Sequence, residues 1–286
     1  MKQKNQGILL VICAGLFFSF MTFFVRISGN LPTMQKTFFR NLFPAFIAAL
    51  TLSRSEQKFH IKKSSIPSLA ARSIAGICGV ICNFYAIDKL NLSDSNMLNK
   101  LSPFFAIIFS YFILKEKANK VEWGAVIVAF IGTLFIIKPS FEMEFLYALI
   151  GLLGGLFAGL AYTFVRKLGK QGERGPVIVL VFSLFSCVVT APFLILEYEP
   201  MSTIQLIYLL LAGVSATGGQ FCITAAYTKA PAKDISVFDY FQILFAAMLG
   251  FFLGQIPDYL SILGYMIIIG SAVFKWRYIK NQKENV

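Results

Sequence analysis

Asn96, Asn99, Lys100 and Pro103 stand at i, i+3, i+4 and i+7 inside an otherwise apolar stretch, so a helix there presents them on one face. A second apolar stretch repeats the pattern with Ser236, Asp239 and Tyr240, and Gln242 extends it. A third holds Arg40. Ionisable groups in such surroundings are costly and turn towards protein or a wet cavity. Arg40 and Lys100 offer directional donors to a carboxylate or phosphate. Asp239 can accept an amine or exchange protons. Together they suit a zwitterion such as an amino acid, and they equally suit an internal ion network. The expected substrate-binding set is Arg40, Asn96, Asn99, Lys100, Asp239, Tyr240 and Gln242, with Asn83, Tyr85, Tyr162 and Gln220 in a second rank. Pro103 has no N–H, which frees the Asn99 carbonyl to point at a ligand or water. Arg72, near the end of its stretch, is expected to snorkel to headgroups.

Other chemistries find little support. Cys78 and Cys82 share a helix face at i, i+4, but no His or acidic residue stands near them in sequence, and cysteine is a common small apolar residue. His60 lies in a basic connector and reads as solvated. The run from Gly151 to Gly159 has no basic residue and reads as a close-packing surface rather than a phosphate loop. No nucleotide-binding motif, nucleophile constellation or metal cluster is legible, so neither a cofactor nor a metal is expected.

The elements that must position the polar residues are ten apolar stretches of about 20 residues each, the length that spans a hydrocarbon core about 30 Å thick. They run over residues 7–26, 34–52, 68–87, 95–114, 121–138, 145–165, 176–196, 203–225, 235–254 and 259–278. Composition agrees: 57% of residues are hydrophobic and 14% charged, about half the charged share of a soluble domain. The reading is an all-α integral membrane protein with ten transmembrane helices.

The net charge of +12 is explained by where the charges fall. On alternating sides of the ten stretches, nineteen of the 26 Lys and Arg residues fall on one side. The other side holds only Arg26, Lys36, Lys89 and Lys138. Basic connectors stay cytoplasmic during insertion, which makes both termini cytoplasmic. A basic face against anionic headgroups accounts for the charge without nucleic acid.

Displacing the sequence by 140 residues, without a gap, superimposes its halves. Gly15-Leu16-Phe17 meets Gly155-Leu156-Phe157, and Phe24-Val25-Arg26 meets Phe164-Val165-Arg166. Gly79, Cys82, Ala86, Lys89 and Asp94 meet Gly219, Cys222, Ala226, Lys229 and Asp234. The halves, residues 1–140 and 141–286, carry five stretches each. A five-span unit that starts inside ends outside, so its copy enters the membrane upside down. Two inverted five-helix repeats place a substrate site near the midplane between them.

These features resemble the EamA-type branch of the drug/metabolite transporter superfamily. The resemblance rests on the ten spans, on Leu98-Asn99-Lys100-Leu101-Ser102-Pro103-Phe104-Phe105 leading to Leu114-Lys115-Glu116-Lys117, and on Ile235-Ser236-Val237-Phe238-Asp239-Tyr240 leading to Gly254-Gln255-Ile256-Pro257. It departs from the family at Gln255, where Glu is common. It implies four helices of each repeat around a central cavity, the fifth peripheral, and transport of amino acids, nucleosides, S-adenosylmethionine or related metabolites, often outward.

The expected function is therefore secondary transport, outward in direction, of a small organic metabolite by alternating access, in a bacterial cytoplasmic membrane. The expected partners are a small-molecule substrate and membrane lipids, with protons as a coupling ion and a homodimer left open. The rival is an integral-membrane enzyme acting on lipid or prenyl phosphates. Such enzymes need clustered acidic or His/Asp residues at a membrane-facing loop, and Asp88, Asp94, Glu116 and Glu122 look scattered. In a background cleared of native cysteines, an impermeant thiol reagent applied outside is expected to label Ser202→Cys and to spare Ser55→Cys. The opposite pattern overturns the orientation.

Overall fold

The computed structural model describes residues 2–89, 98–137, 145–250, 252 and 258–281, and among them there is no strand. The helices are α1 (Lys2–Ile27), α2 (Thr33–Ser53), α3 (Ile66–Lys89), α4 (Ser102–Leu114), α5 (Lys120–Ile137) and α6 (Phe145–Lys170). They continue with α7 (Gly175–Leu196), α8 (Thr203–Lys229), α9 (Ala232–Ile235), α10 (Phe241–Gly250) and α11 (Tyr259–Asn281). A 3₁₀ turn, Ser236–Tyr240, joins α9 to α10. Six helices (α1, α3, α6, α7, α8 and α11) are long and apolar enough to cross a membrane. α4 is a shorter apolar helix of 13 residues.

Two of the expected continuous helices are broken. In the fourth stretch, residues 98–99 are helical, 100–101 form a turn, and α4 begins only at Ser102. Pro103 occupies the first turn of α4, where its missing N–H costs nothing. It starts a helix instead of kinking one. In the ninth stretch, a single turn of α-helix passes through five 3₁₀ residues before α10 resumes.

Exposed side chains such as Phe46, Phe112, Val188 and Ile195 are large and apolar, while buried Ser19, Thr37, Ser186 and Thr190 bond carbonyls one turn earlier in their own helices. Apolar outside with polar groups satisfied inside is the arrangement that lipid demands. The main packing partners are reciprocal. α1 lies on α8 and α3 on α6, α2 on α7, and α5 on α11; α4 also meets α6, and α10 meets α1. Each pairing joins an element before residue 141 to one after it.

Glycines permit the closest of these approaches. A Cβ at Gly155 would stand 2.5 Å from the Leu98 carbonyl oxygen, and one at Gly159 would stand 2.6 Å from the Phe105 Cβ and 2.8 Å from the Ser102 carbonyl. Gly154 lies against the Asn83 backbone and Gly79 against that of Ala158. The glycine run of α6 is thus the surface on which α3 and α4 seat.

The connectors gather into two ends. At the basic end, Lys4 Nζ lies 2.7 Å from Asp234 Oδ2. Glu116 Oε1 holds Arg166 Nε at 3.1 Å and Lys170 Nζ at 2.7 Å. Glu122 Oε1 lies 3.4 Å from Lys275 Nζ, with Lys233 Nζ at 4.0 Å from its other oxygen. Glu173 accepts the Lys62 N–H at 3.2 Å, and Arg174 donates to the Lys58 and His60 carbonyls. Of the acidic residues that look scattered in sequence, Glu116 and Glu122 each sit among basic partners, while Asp94 lies outside the described residues. At the other end, Gln35 and the Glu199 backbone exchange two hydrogen bonds of 3.0 and 3.1 Å, and Gln205 donates to the Ser28 carbonyl at 3.0 Å.

Gly155→Ala should lower stability by about 1–3 kcal/mol, since a fixed carbonyl occupies the place of the new methyl. Gly124→Ala meets nothing within 4 Å and should be neutral or mildly stabilising. Unfolding midpoints of the two variants in one detergent compare them. Equal midpoints would deny the close seating of α4 on α6.

Candidate functional site

The two broken segments touch, and four of the expected polar residues meet there. Lys100 Nζ lies 3.3 Å from Asp239 Oδ2 and donates to Gln242 Oε1 at 2.7 Å. Tyr240 Oη donates to the Lys100 carbonyl at 3.1 Å. That carbonyl is available because α4 opens with a tight turn: the Phe104 N–H bonds the Leu101 carbonyl instead. Lys100, Asp239 and Tyr240 are all buried, and Gln242 is half-buried.

The direct ion pair depends on the breaks in the two segments. Counting 1.5 Å per residue along unbroken upright helices separates Lys100 from Asp239 by about 15 Å in depth, too far for contact. The segments are not unbroken. A 3₁₀ turn rises about 2 Å per residue, the chain turns at Lys100, and the long lysine side chain reaches Asp239.

The site is tied to α1 as well. Ser19 Oγ donates to the Gln242 carbonyl at 2.8 Å, and a Cβ at Gly15 would lie 3.1 Å from the Gln242 nitrogen. Tyr162 of α6 stacks on Tyr227 of α8, centroids 4.7 Å apart and planes 15° apart. The hydroxyls of Tyr162, Tyr227 and Tyr240 all lie within electrostatic range of Asp239.

Arg40 is buried in α2 with Nε 3.1 Å from the Met21 sulfur, and its Nη1 has no partner. Arg72 does not snorkel. It is 3% exposed, with its guanidinium carbon 4.1 Å above the Phe182 ring of α7. The residue expected at the headgroups is thus among the most enclosed cations of the described residues. A glycine one turn on, Gly76, was the available signal: its absent Cβ leaves the room that the Arg72 guanidinium and Phe182 fill.

Asn99 is half-buried, and its carbonyl, together with that of Leu98, faces Gly155 of α6. The carbonyl expected to point at a ligand therefore meets a glycine. Of the second rank, Gln220 is buried, Asn83 is half-buried against Gly154, and Tyr85 is exposed beside Tyr147. Asn96 and Gln255 lie outside the described residues. A groove of about 330 Å³ lined by Ile107, Tyr111, Phe112 and Trp123 opens elsewhere, among the exposed aromatic side chains of α4.

The pair makes a specific demand on stability. Lys100→Met strands Asp239 among apolar neighbours and should cost about 3–5 kcal/mol, whereas Lys100→Met with Asp239→Asn should recover most of that loss. A double-mutant cycle on unfolding midpoints measures the coupling. Additive losses would mean that the two charges do not depend on each other.

Comparison with known proteins now has a structure to attach to. The EamA-like transporter family matches the chain twice, over residues 5–138 and 145–276. The pseudopaline exporter of Pseudomonas aeruginosa is 31% identical over 273 residues, covering 94% of this chain and 95% of that protein. A riboflavin transporter of Vibrio cholerae is 30% identical over 192 residues, covering 64% of this chain and 62% of its own. One crystal structure superposes with a TM-score of 0.81 at 15% identity, covering 94% of this chain and 95% of that one, a likeness of fold. With long apolar helices throughout and matches across both halves, the chain is a membrane protein that belongs to the EamA-like transporter family.

Proposed function

We infer that the chain is a secondary transporter, an exporter of a small organic metabolite such as an amino acid or a related compound. It works by alternating access between two inverted five-helix repeats, residues 1–140 and 141–286, with ten helices in all. The observation that carries this reading is the hydrogen bond from Tyr240 to the Lys100 carbonyl, which joins residues 140 positions apart. Displaced by 140, position 100 is position 240. Residues related by a two-fold axis meet only beside that axis, where inverted-repeat transporters bind substrate. The reciprocal packing of α1 on α8 and α3 on α6 supports the same symmetry, as does the double family match. The relatives named for pseudopaline and riboflavin support a small-molecule cargo, and the former supports export.

In this reading the basic end faces the cytoplasm of a bacterium and both termini lie there. Its ion pairs, each joining one half to the other, hold that side shut in the conformation described. Lys100, Asp239, Tyr240 and Gln242 line the path. Lys100 and Asp239 satisfy each other when no substrate is bound, and a zwitterion can take both over by offering a carboxylate to the lysine and an amine to the aspartate. An enzyme acting on lipid phosphates is the weaker reading. The acidic residues of the basic end are engaged with lysines and arginines, and among the described residues no His, Cys, Asp or Glu group could hold a metal.

The test is uptake and counterflow of labelled amino acids and nucleosides in proteoliposomes. The wild type should move at least one of them chemically unchanged. Asp239→Asn should reduce that flux at least about tenfold, the loss expected when a buried charged partner is removed from a binding site. Transport by the variant at the wild-type rate would make the pair structural.

A further inference from the structure

We propose that Arg40 and Arg72 form an anion subsite, and that the substrate is a small organic molecule carrying two oxyanion groups, carboxylate or phosphate. The proposal deepens the transporter reading and rests on it for the word substrate. The starting point is an imbalance of charge. Away from the basic end, the buried charged residues among those described are Arg40, Arg72, Lys100 and Asp239. Lys100 and Asp239 are paired. No ion pair among the described residues includes either arginine, which leaves two cations without a carboxylate.

Their donors are unspent as well. Arg72 Nε and Nη1 are buried without a hydrogen-bond partner, and so is Arg40 Nη1. Buried donors are almost always satisfied, and a guanidinium left bare in a low-dielectric interior is costly. The geometry at Arg72 shows how an anion would approach. Its face lies on the Phe182 ring, which uses the flat side of the guanidinium. At its rim Nε and Nη1 stay without partners, each able to donate to an oxyanion. Gly76 leaves the room for this pose: any side chain there would collide with Arg72 Nη1 and with Phe182.

The two arginines share a neighbourhood. Arg40 lies within electrostatic range of Arg72, and both lie within range of the Tyr162 hydroxyl, itself within range of Asp239. Two surplus cations favour a ligand with two negative groups, whose amine, where it has one, can still meet Asp239, over a ligand with a single negative group or a cation. Cationic metabolites are repelled.

The experiment measures binding in detergent and needs no flux. Thermal unfolding of the purified full chain is followed against increasing succinate, 3-phosphoglycerate and putrescine. Succinate or 3-phosphoglycerate should raise the midpoint with concentration, as a ligand of the native state must. The larger response identifies the preferred anion. Arg72→Met and Arg40→Met should each weaken that response at least about tenfold. Gly76→Val keeps both charges but displaces the Arg72 guanidinium, and should weaken the response likewise. Without ligand, Arg72→Met should melt no lower than the wild type, because it removes an unsatisfied charge and keeps apolar contact with Phe182.

Stabilisation by putrescine with no response to either anion overturns the proposal. So do anion responses that survive in both methionine variants. Anion binding through both arginines by a protein that moves nothing across vesicles keeps the subsite and removes the transporter. Transport that is indifferent to both arginine substitutions does the reverse.

Discussion

The contact between Lys100 and Asp239 constrains everything around it. Removing a carboxylate and an ammonium from water costs several kcal/mol per ion, and their attraction offsets this only with good geometry and further hydrogen bonds. The protein supplies both at 3.3 Å and with Gln242 as a second acceptor for the lysine. Supplying them requires two chain segments to leave regular α-helix at the same place. Each departure frees backbone groups that lipid could not satisfy. Tyr240 fills the exposed carbonyl of Lys100, and glycines on α6 bring its backbone against the carbonyls of Leu98 and Asn99. The ion pair, the breaks and the glycine surface stand or fall together.

Hydrophobic attraction cannot hold such helices together in lipid, since the tails outside are as apolar as the side chains within. Close packing through small residues does the work along the length of the bundle. Charge does it at one end, where Lys4, Glu116, Glu122 and Glu173 reach across to elements of the other half. Among the described residues the ends are held differently: five ion contacts at the basic end against neutral amide hydrogen bonds of Gln35 and Gln205 at the other. The acidic partners, Asp234, Glu116 and Glu122, are 13% exposed or less, so salt screens these pairs less than pairs on an open surface.

Most of the helical pattern was legible because a long apolar run has few alternatives. The stretches 34–52 and 176–196 differ from α2 and α7 by a single residue at most at each end. The polar set was legible for the same reason: Arg40, Lys100 and Asp239 are conspicuous against leucine and phenylalanine. Depth was not. It depends on rise per residue, and the switch to 3₁₀ geometry at Ser236–Tyr240 leaves no mark in hydropathy. Arg72 was misread because nearness to the end of a helix suggests an escape to water, whereas the Phe182 ring that covers it comes from α7, 110 residues away in sequence. Glu116 and Glu122 looked scattered because their partners, Arg166 and Lys275, come from distant helices. Packing between distant segments is what a single sequence shows least.

The two unpaired guanidiniums of α2 and α3 also make the interior responsive to voltage. A charge moved across the whole membrane exchanges about 2.3 kcal/mol with every 100 mV of potential. Two surplus positive charges fixed within the field feel a fraction of this whenever the helices that carry them shift in depth. An empty interior is therefore electrically loaded, and a doubly negative guest would make it electrically silent. On the alternating-access reading proposed above, the membrane potential acts on the return of the empty protein and leaves the occupied passage largely alone.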